Sequence, residues 1–216
     1  YRALAPQRLA LRERWDIPED AFCFLFVGKL QPKKRPFDLL EAVRLLAAQQ
    51  HHPCFHLLVV GTGELETECR SQVERLGLPV SFAGFLNQSE IAAAYVSCDA
   101  LVLPSDHGES WGLVVNEAMA CALPAIVSDL VGCAADLVEP GQTGLVVPCA
   151  DPGALALAME TMANDPVAAR RMGNSGMERV RNAYSIEAAA KGIRQGVRLA
   201  LARSGPSPVM TPEIFP

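Results

Sequence analysis

A group of four cations stands within seven positions directly after a strongly apolar segment. Its members are Lys29, Lys33, Lys34 and Arg35. A lysine ammonium group is a compact charge suited to phosphate, and an arginine guanidinium can bind two phosphate oxygens at once. A charged run is usually a solvated loop. Because this one lies between a buried strand and a helix, a phosphate-binding loop is an equally good interpretation.

A second glycine-rich turn, Gly61-Thr62-Gly63, follows the apolar run HLLVV. Glycines permit a tight turn and let a ligand approach the backbone closely. Glu66 occupies the place of the third glycine in a dinucleotide-binding fingerprint, which argues against a dehydrogenase. An ordinary strand-to-helix turn explains these two glycines equally well.

The most informative segment is PSDHGESWGLVVNEAMA, residues 104–120, where a strand ends at Pro104 and a helix begins near Gly112. The free amides at a helix start attract anions, so a diphosphate could lie there. Glu109 precedes the helix, and Glu117 follows Gly112 at a distance on the order of 8 Å along the helix axis. Carboxylates accept hydrogen bonds from hydroxyl groups and repel phosphate, so each acid suits a polyol flanking the diphosphate. A loop acid and an exposed helical Glu are the alternative interpretations.

The elements that must position these residues alternate between short apolar runs and amphipathic runs of helical length. The apolar runs are Phe22–Val27, Phe55–Val60, Val80–Ala83, Ala100–Leu103, Ala125–Val127 and Leu145–Val147. The helical runs are Phe37–Gln49, Leu65–Leu76, Ser89–Val96, Leu113–Ala122 and Cys133–Val138, followed by Pro152–Ala163, Pro166–Ala183 and Ile186–Arg203. This pattern predicts an α/β, Rossmann-like, doubly wound parallel sheet of about six strands, with ligands at the carboxyl ends of the strands.

Composition restricts the class of protein further. The net charge of −5 argues against a nucleic-acid partner, and no apolar run is long enough for a membrane span or signal peptide. The seven cysteines form no C-x-x-C pair, which favours free thiols in a reducing cytosol over a disulfide framework or metal site. Because the sequence begins at Tyr1 rather than Met, we expect a fragment or a processed product.

The sequence resembles the C-terminal, donor-binding domain of retaining glycosyltransferases of the GT-B fold. The resemblance is to family four, the group of glycogen-synthase-like and sucrose-synthase-like enzymes. Four stretches carry the resemblance and a fifth follows them, and the resemblance extends from Asp16 to about Arg203. They are FVGKLQPKKRPFDLLEA, LLVVGTGE, FAGFLNQSEIAAAYVSCDALVLPS, ESWGLVVNEAMACALPAIVSD and VGCAADLVEPGQTGLVV. The resemblance implies that the chain is the C-terminal half of a GT-B fold.

The resemblance also implies roles for the charged residues. Lys34 matches the lysine that binds the donor diphosphate, and Lys29 stands where many members have Arg. Arg35 replaces the usual Gly after the lysine. Glu109 and Glu117 match the E-x7-E motif, in which the first acid contacts the donor sugar and the second holds the ribose hydroxyls. Glu109, Lys34 and Lys29 are therefore the catalytic candidates.

The remaining donor-binding candidates follow in the same way. The amides of Gly112, Leu113 and Val114 should meet the diphosphate, and Phe85 and Leu86 should border the base. Gly28, Gly61 and Gly63 complete the set. His107 lies beside the expected sugar pocket, but a surface-loop histidine is at least as good an interpretation.

The implied function is transfer of a glycosyl group from a nucleoside diphosphate sugar to an acceptor, with retention of configuration. No metal or other cofactor is expected. The acceptor would be a glycan, a lipid-linked sugar or a small molecule, bound through a missing N-terminal domain. A cytoplasmic location, with or without peripheral attachment to the inner membrane, is expected. The alternatives are a non-catalytic nucleotide-sugar-binding module and a GT-B-fold sugar-nucleotide epimerase. The residues leave the base, the sugar and the acceptor open.

The expected domain organisation has three parts. Residues 1–15 are a lead-in from the missing acceptor domain, 16–203 are the nucleotide-sugar-binding domain, and 204–216 are a flexible Pro-rich tail. The helix predicted at Ile186–Arg203 would pack against the missing domain in an intact member of the family.

Overall fold

The structure is a computed structural model that describes residues 4–203, and it contains a six-stranded, fully parallel sheet. The strands are β1 (Phe22–Val27), β2 (Phe55–Val60), β3 (Val80–Gly84), β4 (Ala100–Leu103), β5 (Ala125–Ser128) and β6 (Gly144–Val147). Their spatial order is β3-β2-β1-β4-β5-β6, so the chain reverses its direction of progress between β1 and β4. This is a doubly wound sheet, and the predicted fold class is confirmed.

Helices cover both faces of the sheet. They are α1 (Arg8–Glu13), α2 (Pro36–Ala47), α3 (Glu66–Leu76), α4 (Ile91–Ser97), α5 (Leu113–Ala120), α6 (Ala134–Leu137), α7 (Pro152–Asn164), α8 (Pro166–Ala183) and α9 (Ile186–Arg203). Side chains of α2, α3 and α7 share one buried cluster with one face of the sheet. Those of α4, α5 and α6 share a second cluster with the other face.

The central strand shows why the fold needs both layers. All six residues of β1 are buried, and successive side chains point to opposite faces. Phe24 and Phe26 pack on the α2 side, whereas Cys23 and Leu25 pack on the α4 side. A strand without a polar face is stable only between two apolar layers, which the helices on either side provide.

The segment expected to be a lead-in contains a helix that packs against α4. The buried Arg12 of this helix and the neighbouring Arg8 both pair with Asp99, at distances of 2.8 and 2.7 Å. Asp99 also accepts a hydrogen bond from the backbone N–H of Cys23 at 2.9 Å. The carboxylate therefore ties α1 to the amino edge of the sheet, opposite the edge expected to bind ligand.

The described residues end with α9, whose apolar side chains Ile186, Ile193 and Val197 are exposed. The expected Pro-rich tail, 204–216, lies outside the described residues. Between residues 4 and 203, none of the helices has both the length and the apolar character needed to cross a membrane.

Candidate functional site

The loops at the carboxyl edge of β1 and β2 are packed backbone against backbone. A Cβ atom at Gly61 would lie 2.0 Å from the carbonyl oxygen of Gly28, and one at Gly63 would lie 2.2 Å from that of Leu30. The φ of Gly61 is also 125°, a value that L side chains rarely adopt. The N–H of Leu30 donates to Thr62 O at 3.0 Å. These glycines thus hold the two loops together, which explains the Gly61-Thr62-Gly63 turn without a ligand.

A cavity of about 280 Å³ lies where the β1 loop meets the start of α5. Its lining includes Lys34, Glu109 and the α5 start, residues 112–114. Lys34 ends a short 3-10 helix, Pro32–Lys34, in the loop after β1, and its side chain is largely buried at the cavity. The Lys34 ammonium group donates a hydrogen bond to Oε2 of Glu109 in an ion pair. Residues separated by 75 positions in sequence are therefore neighbours in the site.

The start of α5 is held in a conformation that favours glycine. Gly112 has φ 95° and ψ 58°, and a Cβ there would lie 3.1 Å from side chains of Leu103 and Val131. Trp111 is held by a 2.8 Å hydrogen bond from its indole N–H to Asn116 and by ring contact with Tyr184. The first α5 amides have no helical acceptor and border the cavity, so an anion there would find both amide donors and a cation.

A second cavity, of about 380 Å³ and mainly apolar, adjoins the ends of β1, β2 and β3. Its lining includes Lys29, Phe85 and Leu86, together with Gly61 and Ile91. Phe85 is 73% exposed, so its ring faces solvent at the cavity, whereas Leu86 is buried. Lys29 is exposed at this cavity and does not line the one that contains Lys34. A planar apolar group fits this surface.

The linings of the two cavities approach each other at Gly28. This glycine lines the apolar cavity, and a Cβ there would lie 3.3 Å from Cε of Lys34, which lines the polar one. An elongated ligand could therefore pass from one cavity to the other over Gly28, with its charged part beside Lys34. A side chain at this position would narrow that passage.

Glu117 stands one helical turn after Leu113, on the same side of α5. Its Oε2 accepts a 2.6 Å hydrogen bond from the hydroxyl of Tyr95 in α4. Tyr95 is 2% exposed, and burial together with the hydrogen bond to Glu117 raises the pKa of its hydroxyl well above its usual range. The hydroxyl therefore remains a donor and holds one oxygen of Glu117, whose exposed side chain lines neither of the two cavities.

Arg35 stands where glycine is usual, and its backbone conformation there is energetically unfavourable for a residue with a side chain. Its φ of 51° and ψ of 47° lie in the left-handed region, where an L residue costs about 1–2 kcal/mol. Its guanidinium pairs with Asp38 in the first turn of α2. The ion pair stabilises a turn that the backbone alone disfavours.

Several other candidates also lie outside the two cavities. His107 is exposed and lines neither of them, and Lys33 donates to Gly108 O at 3.2 Å on the surface of the loop. Gly63 supports the β1 loop and also lines neither cavity. A larger cavity of about 520 Å³ at the amino edge contains Arg8 and Arg12, but both guanidinium groups already donate hydrogen bonds to Asp99 and to backbone carbonyls.

Two contributors to the site were not identified from the sequence. Tyr95 holds Glu117, and Asn116 holds Trp111. Tyr95 is the single hydroxyl-bearing aromatic in the apolar helix IAAAYVS, and this contrast was an available signal. The indole of Trp111 had no such signal, because its partner is set by the tertiary structure of the loop.

Known proteins resemble the chain over most of its length. Residues 7–179 match the profile of the family described as glycosyl transferases group 1. D-inositol 3-phosphate glycosyltransferase of Kineococcus radiotolerans is 32% identical over 225 residues of alignment, covering 95% of this chain and 52% of that protein. The chain spans about half the length of the curated relatives it matches.

Solved structures agree with this assignment. Sucrose-phosphate synthase from Thermosynechococcus elongatus is 33% identical with a TM-score of 0.75, over 91% of this chain and 49% of that one. HepE of Anabaena, solved in complex with UDP-glucose, is 23% identical with a TM-score of 0.77, over 90% of this chain and 53% of that one. HepE, at this identity, shares the fold alone. The family match, the sequence relatives and the doubly wound sheet lead to one conclusion: the chain belongs to the glycosyl transferases of group 1.

Proposed function

We propose that this chain is the donor-binding half of a retaining glycosyltransferase that uses a nucleoside diphosphate sugar. The observation that carries the proposal is the pair of neighbouring cavities at the carboxyl edge, one charged and one apolar, whose linings approach each other at Gly28. A nucleotide sugar is a ligand of matching form, because it joins an apolar base to an anionic diphosphate. The proposal concerns the whole protein, because the chain spans about half the length of its relatives.

The charged cavity suits the diphosphate. Lys34 supplies a cation, and the amides at the start of α5 supply hydrogen-bond donors. During glycosyl transfer the bond from the anomeric carbon to the phosphate oxygen breaks, and that oxygen keeps the electron pair. Donors fixed before the reaction stabilise this developing charge without reorganising, and such stabilisation is commonly the largest contribution to catalysis.

The neighbouring residues suit the two ends of the donor. Glu109, which pairs with Lys34 and lines the charged cavity, would accept hydrogen bonds from the sugar hydroxyls. Glu117, held by Tyr95, would accept them from the ribose, and Phe85 and Leu86 would border the base. HepE, which has this fold, was crystallised with UDP-glucose, which supports the choice of ligand class.

The test begins with binding. Thermal-shift and calorimetric titrations with UDP, GDP and ADP, and with NAD and pyridoxal phosphate, should show binding of a nucleoside diphosphate and of neither cofactor. Lys34→Ala should weaken that binding by about 1.5–3 kcal/mol, the value of a hydrogen bond to a charged group. Lys33→Ala is the matched control, because Lys33 is the adjacent lysine and lies on the loop surface. Equal affinities of wild type and Lys34→Ala would contradict the role of Lys34.

A second candidate function is that of a nucleotide-sugar-binding module without transfer. The position of Glu109 distinguishes it from the glycosyltransferase. A binding module has no need of an acid in the charged cavity, whereas Glu109 lines it beside Lys34. Incubation of the full-length protein with donor and acceptor, followed by NMR of the anomeric proton of the product, tests transfer and retention together. Inverted configuration would contradict the retaining assignment, and the absence of product would favour the binding module.

A further inference from the structure

The ion pair between Lys34 and Glu109 has a further consequence for the reaction cycle. The two side chains are only 11% and 14% exposed, so solvent screens their attraction weakly. Within residues 4–203, Glu109 is the hydrogen-bonding partner of the Lys34 ammonium group, and no second cation contacts the Glu109 carboxylate. Each group neutralises the other in the ligand-free protein.

Two anions therefore need the same cation. A diphosphate in this cavity would draw Lys34 away from Glu109 and leave a poorly solvated carboxylate beside a phosphate. An unpaired charge in such a place is strongly unfavourable. The terminal phosphate of a free nucleoside diphosphate carries one more ionisable oxygen than it does in the sugar ester, so the conflict is larger for the product than for the donor.

We propose that Glu109 competes with the product diphosphate for Lys34 and thereby weakens the binding of the free nucleoside diphosphate relative to that of the nucleotide sugar. In the donor complex, sugar hydroxyls donate to Glu109 and replace the hydrogen bond it loses. After the glycosyl group has left, no hydroxyl of the transferred sugar remains beside Glu109, and the return of Lys34 to Glu109 favours release. The inference rests on the proposed function and adds to it a role for Glu109 in emptying the site.

The test is the affinity of Glu109→Gln for the nucleoside diphosphate selected by the panel, with UDP, GDP and ADP all measured. Glutamine keeps the shape of the side chain and removes its charge, so Lys34 becomes free for the phosphate. We expect a Kd about tenfold lower than that of the wild type. Asp106→Asn is the matched control, because it removes a charge from the same loop and keeps an acceptor for the N–H of Gly108. Its Kd should change less than about twofold.

The possible results separate this inference from the proposed function. Weaker or unchanged binding by Glu109→Gln, while Lys34→Ala still weakens binding, overturns the competition and leaves the nucleotide site intact. An equal gain in Asp106→Asn overturns it too, because the effect would then come from total charge. Failure of the wild type to bind any of the three nucleotides overturns the proposed function itself. Should Glu109→Gln unfold in a thermal melt, Glu109→Ala carries the same expectation.

Discussion

At the scale of single residues, the hydrogen bond from Tyr95 to Glu117 gives a test of the proposed ribose contact. Tyr95→Phe removes the 2.6 Å hydrogen bond and leaves the ring in its buried position. If Glu117 binds the ribose hydroxyls, the freed carboxylate should weaken UDP binding by about 1 kcal/mol, the net value of one hydrogen bond. Calorimetry of the variant with UDP measures this change.

A matched ligand separates positioning from general destabilisation. The 2′,3′-dideoxy form of UDP has no ribose hydroxyls, so Tyr95→Phe should bind it as the wild type does. Glu117→Gln should give the same pattern with a larger loss for UDP. An equal loss for UDP and its dideoxy form would show that Tyr95 supports the fold of α4 and α5 and does not orient Glu117 for a ligand.

How much of the site could be predicted also differs from residue to residue. The clustering of cations after β1 and the two acids around the start of α5 are local patterns, so the charged candidates could be selected from the sequence. The roles given to them came from the resemblance. The Lys34–Glu109 and Tyr95–Glu117 contacts join segments 75 and 22 positions apart, and side-chain orientation across the sheet edge decides them. No local pattern contains that information.

At the scale of elements, the contact between the β1 and β2 loops should tolerate no side chain. Gly61→Ala places a Cβ 2.0 Å from Gly28 O at a φ of 125°, so the loops must separate. We expect a loss of at least about 3 kcal/mol in the free energy of unfolding, measured by urea denaturation, together with weaker nucleotide binding.

The control for this change is Gly77→Ala at the end of α3. Gly77 has a positive φ of 60°, but an added Cβ would meet no atom within 4 Å. It should therefore show only the backbone cost, about 1–2 kcal/mol, and normal nucleotide binding. Similar losses for the two variants would mean that the close approach of the loops contributes nothing.

The elements themselves were largely predictable, and the exceptions have physical causes. The bounds of β1, β2 and β4 agree with the apolar runs, and each run ends at a turn former, Gly28, Gly61 or Pro104. Helix α5 ends at Ala120, two residues before the predicted end, because Ala122 adopts a positive φ ahead of Pro124. Helix α1 was missed because six residues show too little periodicity, and its position depends on the distant Asp99.

At the scale of the whole molecule, the chain should bind donor and yet transfer no sugar at a useful rate. It contains one doubly wound sheet and spans about half the length of its relatives. Holding the acceptor hydroxyl against the anomeric carbon can contribute roughly 7–11 kcal/mol to catalysis, and under the proposed function the other half of the full-length protein supplies that contact. Parallel assays of the 216-residue chain and the full-length protein, with one donor and one acceptor, measure the difference. Comparable turnover would show that the chain has an acceptor site of its own.

The position of Trp111 has a practical consequence. The sequence has two tryptophans, and Trp15 is buried before β1, away from the carboxyl edge of the sheet. Trp111 lines the cavity of Lys34, and its indole is oriented by Asn116. The emission wavelength of an indole depends on the polarity of its surroundings. An anion that enters this cavity should therefore shift the emission of Trp111 and leave that of Trp15 unchanged. In a Trp15→Phe variant, the fluorescence emission of Trp111 alone would report in real time when a ligand enters and leaves the cavity.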